Sequence, residues 1–151
     1  YKRITFSVEL LRELFVNVES GDGFYDDGSF IQHTVYAYIV GNGSALITSL
    51  SKITYSLEGT CFMFDFEMKE NQYKWITDSF IPFLYEGAFF DLVRGRGVDR
   101  TPQGLSTGSA VIRSFFYITQ YLKDEKNAKN LKKYSIYLTF LQFSLIKRYF
   151  P

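Results

Sequence analysis

The chain has 151 residues, 46% hydrophobic and 22% charged, which is enough apolar side chain for one packed domain or part of one and excludes disorder. A net charge of +1 excludes the clustered Lys and Arg excess of a nucleic-acid footprint. The single Cys excludes an intrachain disulfide, and the most apolar run, residues 134–146, falls short of the roughly 20 residues a membrane helix needs.

Residues 3–18 space Ile4, Val8, Leu11, Phe15 and Val18 by 4, 3, 4 and 3, widened by Leu14, which predicts an amphipathic helix stopped by Gly21 and Gly23. The stretch Gly21–Gly43 follows, rich in glycine, acids and aromatics, and it holds His33, the only histidine. Leu46, Leu50, Ile53 and Leu57 predict a second helix between Gly41–Ser44 and Gly59. Thr60–Met68 alternates at Phe62, Phe64 and Phe66 and reads as a short extended piece. Trp75, Ile76, Phe80 and Phe83 or Leu84 predict a third helix, in which Pro82 makes a kink or a distorted last turn.

Gly87–Gly104 is a second glycine-rich loop, containing Pro102 and the segment Arg94-Gly95-Arg96-Gly97-Val98-Asp99-Arg100. Val111, Phe115, Ile118 and Leu122 then predict a helix, Lys123–Lys126 a turn, and Leu131, Tyr134, Leu138, Leu141 and Leu145 a last helix. The lysines of 123–133 read as a solvated face. Five helices joined by turns, with no sustained strand signal, give an all-α fold of stacked helical hairpins. The chain opens on Tyr1, with no initiator Met and no signal peptide, and reads as a single partial domain excised from a larger protein.

The aromatic content is 19%, with 16 Phe and 12 Tyr; such side chains build a core or stack on sugar rings, and core is the better reading. His33 follows Asp26, Asp27, Gly28 and Ser29. It reads as a general base or a donor to an anion, and equally as a capping or buried histidine satisfied by a carboxylate. Arg94, Arg96 and Arg100 sit among glycines that allow close backbone approach, and the guanidinium fork matches a carboxylate or sulfate. Pairing with Asp91 and Asp99 is the structural reading of the same arginines. Asp22, Asp26 and Asp27 offer a carboxylate pair for glycoside hydrolysis, against which DDG is ordinary turn chemistry. One histidine without metal-ligand spacing gives no metal site, and no cofactor is expected.

The strings GDGFYDDGSFIQHTVYAY and WITDSFIPFLYEGAFFDLVRGRGVDR resemble the catalytic α-domain of polysaccharide lyase family 8, the hyaluronate, chondroitin and xanthan lyases. The resemblance covers roughly residues 8–100, and the last two helices in pattern alone. It implies helical hairpins forming part of an incomplete α/α toroid, β-sandwich domains C-terminal to it, and a secreted or cell-surface location. It also implies β-elimination on an acidic, uronate-containing polysaccharide: the C5 proton leaves, the 4-linked oxygen gains one, and neutralising the carboxylate lets charge develop. In that family an Asn and a His hold the carboxylate, a Tyr exchanges protons, and arginines steady the tyrosine and the leaving oxygen.

Carried over by position, His33 is the histidine, Arg96 and Arg100 are the arginines, and Arg94 lies beside them as a substrate-binding candidate. The proton-transfer tyrosine is expected nine positions after the histidine, just before a glycine, where this chain has Asn42. An amide binds substrate but is no phenolic acid or base. Tyr38, five positions after His33, matches a different family tyrosine, and Tyr36 or Tyr38 serves only if the loop rearranges. The resemblance thus leaves two functions open: a lyase, and a degenerate relative that binds acidic glycans without cleaving them.

Overall fold

Five α-helices carry most of the described chain, residues 2–98 and 103–149 of a computed structural model, with side chains described at 2–98 and 106–144. Helix α1 (Lys2–Arg12) runs into a 3-10 turn at Glu13–Phe15, and the backbone turns extended at Val16 (φ −107°, ψ 146°). The helix is therefore shorter than the apolar spacing to Val18 predicts. Phe15 is fully buried against Phe64, ring centroids 4.5 Å apart, and that anchor lets the chain leave the helix. Val18 instead donates its N–H to Phe24 at 2.7 Å.

Helix α2 (Ser44–Leu57) lies where the sequence puts it, but its buried stripe is Ile47, Leu50, Ser51 and Thr54, rotated from the leucine spacing. The extended piece expected at Thr60–Met68 is not formed. Thr60 caps the preceding turn through Leu57 O and the Phe62 N–H, and Phe66 already begins α3 (Phe66–Trp75). Only Phe64 of the three alternating phenylalanines is fully buried, and no neighbouring strand pairs with them. After α3 the chain widens into a π turn at Ile76–Phe80 and tightens into a 3-10 turn at Ile81–Phe83, where Pro82 takes an early position that needs no N–H donor. Helices α4 (Gln103–Thr119) and α5 (Glu125–Tyr149) form a hairpin across residues 120–124. Asp124 caps α5 by accepting from the N–H groups of Lys126 and Asn127, and the lysines at 123, 126, 129, 132 and 133 face solvent.

The all-α expectation is corrected by two small antiparallel sheets inside the glycine-rich loops. Strands β1 (Gly23–Phe24), β2 (Phe30–Gln32) and β3 (Tyr36–Ala37) form one, and β4 (Leu84–Tyr85) with β5 (Ala88–Phe89) the other. Strands of two or three residues are too short to show a period of two, so turn residues dominate the sequence signal. The first sheet is held by its aromatic inner face. Phe24 stacks on Trp75 at 4.4 Å and 12°, meets Phe30 edge-on at 4.7 Å, and lies 6.0 Å from Phe80. These aromatics are core, and they clamp the His33-bearing loop onto α3, whereas Phe6, Phe66, Tyr85, Phe140 and Phe143 are exposed.

A buried polar network ties α2 and α3 to the connection that follows α4. Gln72 donates to Thr54 Oγ1 at 2.9 Å and accepts from the Tyr121 hydroxyl, with all three side chains buried. Burial pushes the Tyr121 phenol well above its ordinary value, so it stays a donor. Tyr121→Phe leaves the Gln72 carbonyl oxygen buried without that donor. The expected loss is ~1–3 kcal/mol, read as a lower urea midpoint at unchanged slope. A midpoint equal to wild type would show that the network contributes nothing.

Candidate active site at the His33 turn

His33 occupies the turn between β2 and β3 with a left-handed backbone (φ 54°), followed by Thr34 in the same region (φ 68°). Two consecutive non-glycine residues held there cost of order 1–3 kcal/mol each, and they persist because the surroundings impose them. Asp22 is the restraint. One carboxylate oxygen accepts the Thr34 N–H at 2.9 Å and the other accepts the Gln32 side-chain amide at 2.6 Å. Asp22 is thus a brace for the His33 turn. Asp26 accepts from Asn17 at 2.6 Å, and Asn17 in turn accepts from the Trp75 indole. Asp27 caps its own turn; hydrogen bonds from the Ser29 side chain and then its backbone hold the carboxyl below its ordinary value. The three acids brace three different neighbours, as turn chemistry predicts and a hydrolytic pair does not.

The braced turn presents His33 to solvent and to Arg96, whose Nη2 lies 2.8 Å from His33 Nε2. A guanidinium has no acceptor, so Arg96 donates and Nε2 accepts, which places the ring's own N–H on Nδ1. Arg96 belongs to a pair of 3-10 turns, Asp91–Val93 and Gly95–Gly97, pinned by the buried Val93. Arg94 is turned inward, 7% exposed, bonded to Asp91 Oδ1 at 2.6 Å and to Gly97 O at 2.9 Å, so it stitches the two turns together. Asn42 lies in a π turn at Ile39–Gly43 and is exposed. Arg100 and Asp99 lie outside the described residues.

Tyr38 is the residue that the sequence did not place. Its ring centroid is 6.3 Å from that of His33. The ring fills a slot between two glycines: a Cβ on Gly95 would stand 2.7 Å from Tyr38 Cδ2, and one on Gly41 would overlap the ring. The hydroxyl reaches the Gly97 side of the arginine turns. Beside Arg96 opens a cleft of about 420 Å³, walled by Val35, Tyr36 and Ala37 on one side and by Leu92, Arg96 and Val98 on the other. Arg96 lines this cleft together with Asp91 and Gly95, and His33 adjoins it through its hydrogen bond to Arg96, with the Tyr38 ring 6.3 Å from that of His33. Among the described residues no cluster of His, Cys, Asp or Glu could hold a metal, and no helix is long and apolar enough to cross a membrane.

Residues 1–135 match the family model described as polysaccharide lyase family 8, N terminal alpha-helical domain. The chain belongs to polysaccharide lyase family 8. Its family-8 relatives include xanthan lyase of Bacillus sp. (strain GL1), 36% identical over 109 residues, which are 72% of this chain and 12% of that protein. Hyaluronate lyase of Thermasporomyces composti is 40% identical over 90 residues, 60% of this chain and 12% of that protein. The solved structure of Paenibacillus xanthan lyase superposes with a TM-score of 0.84 at 35% identity, covering 93% of this chain and 14% of that one. Streptomyces coelicolor A3 chondroitin AC lyase, solved in complex with chondroitin sulphate, shares the fold at a TM-score of 0.74 and 22% identity, over 84% of this chain and 18% of its own. The chain thus spans about an eighth of the length of the first two relatives.

Within the family-8 motif, spacing along the chain located His33 and Arg96 but not their hydrogen bond. Tyr38 was visible as a tyrosine five positions after His33. The signal that could have placed it was the pair Gly41 and Gly95, two positions without side chains that leave room for one ring.

Proposed function

We propose that residues 1–151 are part of the catalytic helical domain of a polysaccharide lyase that cleaves an acidic, uronate-containing glycan by β-elimination. The supporting observation is the 2.8 Å bond from Arg96 to His33, joining two motifs 63 residues apart with Tyr38 alongside. In this reading Nδ1–H of His33 donates to the uronate carboxylate, and Arg96 holds the ring in that tautomer while adding positive charge. Less negative charge on the carboxylate allows charge to develop at C5 as its proton leaves. The C5–H electrons form the C4=C5 double bond, the C4–O bond breaks, and the departing oxygen takes a proton. Tyr38, whose ring lies 6.3 Å from that of His33, exchanges those protons after the loop rearranges to bring its hydroxyl to the sugar. Arg100 assists at the phenol or the leaving oxygen, as its place in the family pattern implies. Leu92, Val98 and Tyr36 line the path of the neighbouring sugar.

The same reading includes the rest of an α/α toroid, C-terminal β-sandwich domains and an extracellular or cell-surface setting. Exposed apolar side chains on α1 (Ile4, Phe6, Leu10) and α5 (Ile136, Phe140, Phe143) are consistent with helical neighbours in a larger domain.

The natural protein in full, incubated with hyaluronan, chondroitin and xanthan, is expected to release product with the ultraviolet absorbance of a C4=C5 uronate. His33→Ala and Arg96→Ala should each lower that rate by ~10²–10³. Wild type that binds these glycans with no absorbance change would instead identify a binding protein that has lost turnover, the reading that Asn42 favours. Neither binding nor product from any of them would exclude both.

A further inference from the structure

We propose that Gln142, far along α5 from the His33 turn in sequence, is a positioning residue for the arginine turns and acts through the tip of the β4–β5 hairpin. The tip is a two-residue turn, Glu86 (φ 49°) and Gly87 (φ 82°), both left-handed as a tight hairpin requires. Its Gly87 carbonyl enters the groove between α4 and α5, where Gln142 Nε2 donates to it at 2.5 Å. Ser109 Oγ donates to Gln142 Oε1 at 2.9 Å, which fixes the sense of the amide. Gln142 is 6% exposed. The fit leaves no slack: a Cβ on Gly108 would overlap the Gly87 carbonyl oxygen, and a Cβ on Gly87 would overlap the Gln142 side chain. Three elements therefore meet at one buried hydrogen bond that secures a surface hairpin.

That hairpin leads directly to Arg96. Phe89 packs edge-on against Phe80 at 6.1 Å, and Phe90 N–H returns to Phe83 O at 3.1 Å. Asp91–Val93 and Gly95–Gly97 follow at once, locked by Arg94 N–H to Asp91 O and Gly97 N–H to Arg94 O. The chain runs from the tip to Arg96 through these bonded turns, whereas the His33 turn is braced by Asp22, just before β1, and meets the arginine turns through Tyr38 and the His33–Arg96 bond. The seating of the hairpin thus contributes to the position of Arg96 beside His33, and the Gln142 donor contributes to that seating together with Phe89 on Phe80.

The test uses Gln142→Glu, which keeps the shape and the acceptor for Ser109 but as a carboxylate cannot donate to Gly87 O. Hydrogen exchange at the amides of Phe90, Arg94 and Gly97 is expected to quicken roughly tenfold or more, while buried α2 amides near Leu50 and Thr54 keep their protection. The inference rests on the lyase reading for its kinetic arm alone: kcat should fall roughly ten- to a hundredfold. The deficit relative to wild type should shrink on acidification, because the protonated carboxyl donates again. Uniform loosening of every helix, or arginine-turn amides protected as in wild type, would overturn the proposal. So would an unchanged kcat in a protein that has lyase activity. Wild type without lyase activity defeats the lyase reading, and the exchange arm still decides the role of Gln142.

Discussion

Gly108→Ala is expected to destabilise the protein by ~2–4 kcal/mol, the reverse of the usual effect of removing a helical glycine. Alanine is favoured over glycine inside a helix by about 1 kcal/mol, and Gly108 sits within α4. Propensity loses here because the new Cβ would occupy the space of the Gly87 carbonyl oxygen. That obstacle is backbone, so it cannot swing aside as a long side chain would. Either the β4–β5 hairpin lifts, breaking the Gln142 bond and unseating Phe89, or α4 shifts against α5 and disturbs Ile112 and Phe115. Urea unfolding measures the result directly. A midpoint at or above that of wild type would mean that the hairpin does not lie in the groove between α4 and α5.

Helix α4 was legible because its apolar positions recur with the helical period, Val111, Phe115 and Ile118 being fully buried. The helix expected to begin at Trp75 is displaced: α3 ends at Trp75, and Ile76–Phe83 form π and 3-10 turns. The short strands were not legible, since their sheet is anchored by Phe24 stacking on Trp75 far along the chain, with Phe30 edge-on to Phe24, and not by local alternation. Phe62, Phe64 and Phe66 show the converse error, in which alternation without a partner strand carries no structural weight. In the site, His33 and Arg96 were readable as members of motifs. What their neighbours do was not. Arg94, a binding candidate by chemistry, is drawn inward by Asp91 three residues before it, and Asp22 braces the His33 turn through Gln32 and Thr34. Such assignments depend on which way a short turn faces, and in these turns glycine spacing leaves the direction open.

The direction matters most for Tyr38, where the expected effect of a single atom is largest. Tyr38→Phe keeps the ring in its slot between Gly41 and Gly95, so stability should stay within about 1 kcal/mol of wild type. Removing the hydroxyl removes the only proton-exchanging group of that ring, and turnover on a uronate glycan should fall by ~10²–10⁴ while KM changes little. Asn42→Ala tests the rival position. Asn42 is exposed and has no titratable proton, so its loss should leave kcat within a few-fold of wild type. The opposite pattern, activity that survives Tyr38→Phe and disappears in Asn42→Ala, would remove Tyr38 from the mechanism and return the search to the position nine residues after His33. If Asn42→Tyr alone creates activity in an otherwise silent protein, the phenol belongs at 42. The cleft would then be a lyase site disarmed by one substitution, with His33 and Arg96 still in place to hold a carboxylate.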